Sequence, residues 1–142
     1  QLAETTQVLA EGWLQTGDIA MMDQDGFIKI LDRKKEMINV SGFNVYPSEI
    51  ENVVGEHHKV LEVGAIGIPD KTGKEEIILY IVKKDIQLTE EEVIAHCRER
   101  LTGYKVPNHV IFREALPKSN VGKILKRVLK EDALAQVTQQ NM

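Results

Sequence analysis

With 142 residues, of which 42% are hydrophobic, the chain has the size and composition of a single globular domain. Its formal net charge of -4 and the lack of any long block of like charge argue against a nucleic-acid partner. Cys97 is the only cysteine, which excludes a disulfide framework or a zinc cluster built from this chain and suits a reducing cytoplasm, and no apolar run approaches the ~20 residues of a membrane span.

The N-terminal part of the chain predicts a β-hairpin followed by a charged link. Two β-prone runs, Ile19–Met22 and Phe27–Leu31, flank the segment D-Q-D-G, which has the composition of a tight turn. The link Asp32–Glu36 follows and is the best candidate for a domain boundary. Because the chain opens with Gln1 and its first residues have no obvious core of their own, we expect a piece of a longer protein.

Three amphipathic helices are predicted in the rest of the chain. Ser48 with Glu51 forms a capping box before the first helix, and Thr89 with Glu92 forms a second one, whose helix Gly103 is expected to end. The third helix has its apolar residues on one face: Leu125, Val128, Leu129 and Ala133.

Strands alternate with these helices. Ile77–Val82 is a continuous apolar run typical of a central strand covered on both faces, and S-G-F-N at Ser41–Asn44 is expected to be a loop. The other predicted strands are Met37–Val40, Val60–Ile68 and Val110–Arg113. The order of elements predicts an α+β fold with a small mixed sheet flanked by helices.

The segment P-K-S-N-V-G-K-I carries the strongest candidate for chemistry. Gly122 can adopt backbone angles closed to other residues, and Lys123 places a compact positive charge at the start of a helix. Such a lysine suits an oxygen that gains negative charge in a transition state. Spacing alone favours an ordinary solvated lysine, because the G-x-x-x-x-G-K pattern of a phosphate loop is absent.

Four other features have both an ordinary and a functional interpretation. Asp18, in T-G-D, is by default a turn residue, but its carboxylate could accept hydrogen bonds from two ribose hydroxyls. Arg33–Lys35 is either a solvated charge run or part of a hinge. Gly42 is either a turn glycine or a place where a narrow ligand passes the backbone. His57 and His58 have no partner at metal spacing and are expected to be surface histidines.

Several motifs in order resemble one family. The segment Glu11–Lys35 is similar to the signature region of fatty acyl-CoA synthetases in the adenylate-forming superfamily, and the chain most resembles bacterial long-chain fatty acid:CoA ligases. The segments M-I-N-V-S-G-F-N-V-Y-P-S-E-I-E, L-T-G-Y-K-V-P and L-P-K-S-N-V-G-K-I continue the resemblance, which covers nearly the whole chain.

The resemblance implies roles for five residues. Lys123 matches the lysine that bridges carboxylate and phosphate oxygens during adenylation, Asp18 the aspartate that binds the ribose hydroxyls, and Arg33 the arginine beside the nucleotide. Lys35 matches the hinge position, and Gly42 the glycine that lines the pantetheine tunnel for CoA. At one position the chain departs from part of the superfamily. Luciferases and plant coumarate ligases have a lysine where this chain has Asn39, so Asn39 is assigned no catalytic role.

The resemblance also implies a domain organisation and partners. Residues 1–31 would end a large N-terminal domain, 32–36 would be the hinge, and 37–142 would be a C-terminal lid domain that works against that N-terminal domain. The full-length enzyme would use ATP, Mg2+, CoA and a fatty acid, with no metal site in this chain. It would be cytoplasmic, with peripheral association at the inner membrane left open.

Two alternatives remain open from the sequence. The chain could be the lid of an enzyme that adenylates another carboxylic acid, because the acid-binding pocket is not in this chain. It could also be a non-catalytic module that binds a nucleotide or a partner protein. The phosphate-binding loop is absent, so we expect the isolated chain to be inactive and to hold no cofactor tightly.

Overall fold

The computed structural model describes residues 18–22, 24–25, 28–33 and 36–140. The chain divides into two compact units, residues 1–35 and residues 36–142. The division falls inside the predicted link 32–36. Each unit is described by itself.

The described part of the first unit is an antiparallel hairpin. Strand β1 is Asp18–Met22 and strand β2 is Ile28–Arg33. Asp18 pairs with Arg33 and Met22 with Ile28, with one irregularity in the register between Ile19 and Ala20. The predicted hairpin is therefore confirmed, but β2 continues past Leu31, so the start of the expected link is strand instead.

The second unit contains two small sheets and, within its described residues, three α-helices. Strands β5 (Val60–Pro69), β6 (Glu75–Lys83) and β7 (His109–Phe112) form a mixed sheet in which β6 is central, antiparallel to β5 and parallel to β7. The α+β prediction is confirmed. In chain order the elements are β3 (Ile38–Val40), β4 (Phe43–Val45), α1 (Pro47–Gly55), β5 (Val60–Pro69), β6 (Glu75–Lys83), α2 (Glu90–Arg100), β7 (His109–Phe112) and α3 (Lys126–Gln140).

Strand β6 separates two hydrophobic clusters, as its apolar run predicts. Alternate residues of a strand point to opposite faces. Ile77, Leu79 and Ile81 therefore pack with residues of α1 and α2, while Ile78, Tyr80 and Val82 pack with residues of α3. The sheet is covered by helices on both faces, and its two ends carry the loops that bear on function.

Of the two predicted capping boxes, the second is confirmed at its Thr89 cap, while its Glu92 carboxylate pairs with Lys59 at 3.0 Å, and the first is wrong. The Thr89 hydroxyl accepts a hydrogen bond from the Glu92 backbone N–H at 3.2 Å and caps α2. Helix α1 instead begins at Pro47, with Tyr46 as N-cap and no side-chain cap bond. Proline favours the first helical position because its fixed φ suits the helix and its missing N–H would have no partner there, so the helix starts before Ser48.

Two further expectations differ from the structure. Helix α2 ends at Arg100 with extended backbone at Leu101, and Gly103 opens a short 3-10 turn rather than closing the helix. The S-G-F-N segment is not only a loop, because its last two residues begin β4, which pairs with β3 through Val40 and Phe43. Only Ser41 and Gly42 separate the two strands, as in a tight hairpin.

Candidate functional site: a lysine loop and a glycine turn

The first candidate element is the loop Pro117–Leu125, which we call the Lys123 loop. Gly122 has a φ of 81°, a left-handed value that favours glycine. Ser119 then holds Lys123 from both sides: its N–H donates to the Lys123 carbonyl oxygen at 2.8 Å, and its hydroxyl accepts from the Lys123 N–H at 3.2 Å. The backbone of Lys123 is fixed, while its side chain is exposed to solvent, as expected.

Ion pairs attach both ends of the Lys123 loop to the domain. Lys118 pairs with Glu62 of β5 at one end. At the other end, Lys126 lies 2.9 Å from Glu51 of α1 and 3.9 Å from Glu36, and its side chain is only 11% exposed. Since Lys126 is the first residue of α3, this pair fixes where the loop joins the helix.

The second candidate element is the turn between β3 and β4, which we call the Gly42 turn (Val40–Phe43). Its two central residues, Ser41 and Gly42, have φ values of 52° and 90°, the positive values that a tight I′ hairpin turn requires. Both residues are exposed. The Asn39 side-chain oxygen accepts the Gly42 N–H at 2.9 Å, and the Asn39 N–H donates to a Glu75 carboxylate oxygen at 2.5 Å.

An open groove of about 670 Å³ runs beside the Gly42 turn. Charged residues line it together with Gly42: Lys74, which precedes β6, and Glu75, the first residue of that strand. The remaining lining residues are Met37, Asn39, Ser41, Pro69 and Gly73. Beyond the two neighbouring residues, a Cβ atom added to Gly42 would meet no protein atom within 4 Å, so the glycine leaves free space beside the groove.

The Lys123 loop and the Gly42 turn lie at opposite ends of β5. Glu62, near the start of the strand, holds the Lys123 loop, whereas Pro69, the last residue, lines the groove of the Gly42 turn. At 3.3 Å per residue these two strand positions are about 23 Å apart. The domain therefore presents a cation and a bare backbone turn at two separate places.

The structure also pairs two of the residues expected near a nucleotide. Asp18 and Arg33 are direct partners at the open end of the β1–β2 hairpin, so the register brings them side by side although they are 15 positions apart in the chain. Lys35, the expected hinge residue, lies outside the described residues.

The remaining chemistry-bearing groups in the described part of the chain offer no second centre. Burial raises the pKa of the Cys97 thiol to about 11, which keeps it protonated and unreactive at neutral pH. Among the described residues, no three His, Cys, Asp or Glu side chains lie together as metal ligands would. No helix in the described part of the chain has the length and hydrophobicity to cross a bilayer.

Sequence reasoning missed three residues that shape these elements. Asn39 was given no role, and Glu75 and Lys126 were not singled out. A local signal existed for Asn39, since an asparagine often accepts a backbone N–H from a nearby following residue. Glu75 and Lys126 act across 36 and 75 residues of chain, respectively, so no local pattern points to them.

The second unit is thus a small α+β domain that carries an exposed lysine on a held backbone and a glycine turn at opposite ends of one strand. The model of the AMP-binding enzyme C-terminal domain family matches residues 49–123, which is more than half of the chain. The chain belongs to this family.

Curated relatives agree with the family and extend the match. The chain is 58% identical over 133 residues to a long-chain-fatty-acid–CoA ligase of Salmonella typhimurium strain LT2, which covers 94% of this chain and 24% of that protein. It is 45% identical over 130 residues to the enzyme of the same name from Bacillus subtilis strain 168, covering 91% of this chain and 23% of that protein. The chain thus spans about a quarter of the length of these relatives.

Solved structures share the fold over the same portion. A Mycobacterium tuberculosis fatty acyl CoA synthetase is 41% identical, with a TM-score of 0.76, over 94% of this chain and 26% of that one. ATP-bound MatB from Rhodopseudomonas palustris is 31% identical, with a TM-score of 0.88, over 93% of this chain and 27% of that one. The structural neighbours are adenylate-forming enzymes, as the sequence resemblance predicts.

Proposed function

We propose that this chain is the C-terminal lid of an ATP-dependent long-chain fatty acid–CoA ligase. The observation that carries the proposal is the 58% identity to the Salmonella typhimurium ligase over 94% of the chain. The chain covers only 24% of that relative, so the reaction is assigned to the full-length enzyme and not to these residues alone. Its main partner is then its own N-terminal domain.

In the first half-reaction a fatty carboxylate oxygen attacks the α-phosphorus of ATP. The bond from that phosphorus to the β,γ-pyrophosphate oxygen breaks, giving acyl-adenylate and pyrophosphate. Lys123 supplies a fixed cation to the carboxylate and phosphate oxygens while charge moves between them. The pinned backbone and exposed side chain of Lys123 support this role, because the ammonium group is free to enter a site completed by another domain.

Asp18 and Arg33 hold the nucleotide in this proposal. The Asp18 carboxylate accepts hydrogen bonds from the ribose hydroxyls, and the Arg33 guanidinium lies beside the nucleotide. Their direct pairing at the end of the hairpin supports a shared ligand. Mg2+ enters only with ATP, and no residue of this chain is assigned to it.

In the second half-reaction the CoA thiol, after losing its proton, attacks the carbonyl carbon of acyl-adenylate. The bond to the phosphate oxygen breaks and AMP leaves. Gly42 lines the passage for the pantetheine arm, where any side chain would obstruct it. The open groove beside the Gly42 turn supports this assignment. Lys35 is the hinge about which the lid turns, so that the two loops serve the two steps in succession.

The test is Lys123→Ala in the full-length enzyme. We expect fatty-acid-dependent ATP–pyrophosphate exchange to fall by roughly 100- to 1,000-fold, the size of effect seen when one oxyanion-stabilising group is removed. Conversion of supplied acyl-adenylate to acyl-CoA should continue. Lys84→Ala, at another exposed lysine, is the matched control and should leave both steps intact. Equal loss of both steps in Lys123→Ala would contradict the assignment.

A second candidate function is adenylation of a different carboxylic acid. A Rhodococcus jostii ligase for a methyl-dioxo-octahydroindenyl propanoyl group is 44% identical over 124 residues, nearly the identity of the Bacillus subtilis long-chain enzyme. The C-terminal region therefore discriminates poorly between acids. Initial rates of the full-length enzyme with fatty acids of different length and with ring-bearing propanoates decide between the two candidate functions. A preference for the ring-bearing propanoates would overturn the long-chain assignment.

The isolated chain provides a separate check. We expect the purified 142-residue chain to catalyse no pyrophosphate exchange. Calorimetric titration with AMP and with CoA should give no binding heat, because a lid holds a minority of the ligand contacts. Tight binding of either ligand would favour the non-catalytic binding module instead.

The location of the full-length enzyme is a separate question. Cell fractionation distinguishes a cytoplasmic enzyme from one that associates peripherally with the inner membrane.

A further inference from the structure

The Gly42 turn has a conformation that requires support. Ser41 is the only described residue other than glycine with a positive φ, at 52°, and such a conformation is unfavourable for a residue with a Cβ. Both central residues are exposed, so packing around them does not enforce the shape. The support must come from hydrogen bonds and from the base of the hairpin.

Two hydrogen bonds in series provide that support. The Asn39 side-chain oxygen accepts the Gly42 N–H at 2.9 Å and closes the turn on itself. The Asn39 backbone N–H donates to the Glu75 carboxylate at 2.5 Å, and charge-assisted bonds of this kind are among the stronger ones. Glu75 is the first residue of β6 and pairs with Pro69, so the chain of bonds ends in the main sheet.

The sides of the hairpin are fixed independently. Ile38 at its base is 1% exposed and packs directly against Gly67 of β5. On the other strand, the Phe43 ring stacks on Tyr104 with centroids 4.5 Å apart. Because the base and one side are already held, removal of the Asn39 bond should loosen only the tip, where Gly42 lies.

We propose that Asn39 and Glu75 are positioning residues for the thioester-forming step, which hold the Gly42 turn open beside the groove. The inference rests on the proposed function, in which Gly42 lines the passage for CoA. An asparagine suits the position because its amide oxygen is an acceptor, whereas a lysine there has only donors and could not bind the Gly42 N–H. Asn39 acts through Gly42 and contacts no reacting atom.

The test separates the two half-reactions in the full-length enzyme. Asn39→Ala and Glu75→Leu should each slow acyl-CoA formation from supplied acyl-adenylate by roughly 3- to 10-fold, the range that loss of one hydrogen bond permits. Pyrophosphate exchange should stay within about twofold of the parent. The double variant should be no slower than the worse single variant, since both bonds support one turn.

Conservative variants and a matched control distinguish positioning from a general defect. Asn39→Asp and Glu75→Gln keep an acceptor oxygen and should recover most of the rate, whereas Asn39→Lys should behave like Asn39→Ala. Asn44→Ala is the control, because Asn44 is the cross-strand partner of Asn39 in the same hairpin and is exposed. It should leave both steps unchanged.

Gly42→Leu distinguishes failure of this inference from failure of the proposed function. If Gly42→Leu blocks acyl-CoA formation while Asn39→Ala leaves it unchanged, the positioning role is wrong and the role of Gly42 stands. If Gly42→Leu has no effect, the assignment of the turn to CoA is wrong. Equal slowing of both half-reactions by Asn39→Ala would also overturn selective positioning.

Discussion

The Lys123 loop and the Gly42 turn use the same backbone device for opposite purposes. Each contains an exposed glycine at nearly the same φ, 81° at Gly122 and 90° at Gly42, and beyond its two chain neighbours neither glycine has a protein atom within 4 Å of where a Cβ would lie. In the first loop the glycine aims the next side chain outward. In the second, the missing side chain is itself the feature, because it exposes backbone.

The two elements also differ in how they are held. Ser119 fixes Lys123 through bonds within the loop, and ion pairs to Glu62 and Glu51 attach its ends. The Gly42 turn depends instead on Asn39 and on a carboxylate from β6. A loop that presents an exposed cation needs a firmly held backbone beneath it, whereas a turn that presents backbone needs its own peptide groups held. Each support should therefore be separable by mutation.

Substituting the two glycines gives the largest expected contrast. Gly42→Ala and Gly122→Ala impose the same strain, about 1–2 kcal/mol for a left-handed residue with a Cβ. In the full-length enzyme, Gly42→Ala should slow acyl-CoA formation from acyl-adenylate, and Gly122→Ala should slow pyrophosphate exchange, each by roughly 10- to 100-fold, because a small misplacement of the pantetheine arm or of Lys123 carries a large penalty.

Each glycine variant is the control for the other. Thermal unfolding should show similar destabilisation of the two, so that a difference between half-reactions reflects location and not strain. If both variants slow the same half-reaction, the division of labour between the two elements is wrong.

The next contrast concerns the two ion pairs of the Lys123 loop. Lys126 is 11% exposed and Glu51 is 19% exposed, whereas Lys118 is 40% exposed. Removing one partner of a mostly buried pair leaves an uncompensated charge, so Lys126→Met should lower the free energy of unfolding by about 2–3 kcal/mol. Lys118→Met breaks a more solvated pair and should lower it by at most about 1 kcal/mol.

Urea unfolding of the two lysine variants measures the difference. Lys126→Met/Glu51→Leu removes both charges and should recover part of the lost stability. If Lys126→Met and Lys118→Met have equal free energies of unfolding, the ion pair between Lys126 and α1 is not a main support of the Lys123 loop.

Two glycines of β5 provide a third, smaller contrast. They face opposite sides of the strand because they are three positions apart. A Cβ at Gly67 would lie 2.7 Å from Ile38, which is β-branched and buried, so Gly67→Ala should cost about 1–3 kcal/mol by overpacking under the Gly42 turn. A Cβ at Gly64 would lie 3.2 Å from the end of the Leu129 side chain, which can move.

Gly64→Ala should therefore be the milder variant, and its effect should fall on the α3 side of the sheet. Hydrogen exchange at two backbone amides reports on the two sides of the sheet. The Asn39 N–H, which donates to Glu75, reports on the side of the Gly42 turn, and the Leu125 N–H, which donates to the Pro117 carbonyl, reports on the α3 side. Faster exchange at Leu125 in Gly67→Ala, with Asn39 unchanged, would contradict the assignment of sides.

What the sequence predicts well in this chain is local. The Thr89 cap and the β6 run follow from neighbouring residues, and Gly42 and Lys123 lie in recognisable motifs. Pairings over long sequence separations are not readable in this way. Glu51 was expected to serve a capping box, but its carboxylate accepts from the Ala65 N–H and from Lys126, partners that only the fold brings near. Strand β4 was missed because three residues are too few to show a period.

The histidines show the same limit. His58 is exposed as predicted, but His57 is half-buried. Its ring packs edge-on against His96 of α2, with centroids 5.0 Å apart, and stacks on His58. Its Nδ1 accepts the Lys59 N–H at 3.1 Å, so this nitrogen carries no proton. His96 lies 43 residues away from Val53, whose carbonyl accepts its Nε2–H at 2.7 Å.

The smallest expected effect is that of acidification. It tests whether α1 supports the Lys123 loop but not the Gly42 turn. Burial, followed by the charges of His96 and His58, lowers the pKa of His57 from its ordinary value of 6.5, against an opposing effect of Glu92 and with a further contribution from Lys59. The unfolded chain therefore binds a proton more readily than the folded one. The stability that depends on neutral His57 is complete above pH 6.5 and is lost as the pH falls through the lower folded value.

His57 lies two residues after the end of α1, which carries the Glu51 anchor of the Lys123 loop. Mild acid should therefore reduce the exchange protection of Leu125 slightly more than that of Asn39, which is held from β6. His57→Asn supplies a neutral side-chain oxygen near the position of Nδ1 and should remove the difference. An equal loss at both amides, or a loss that persists in His57→Asn, would mean that α1 does not couple this histidine to the Lys123 loop.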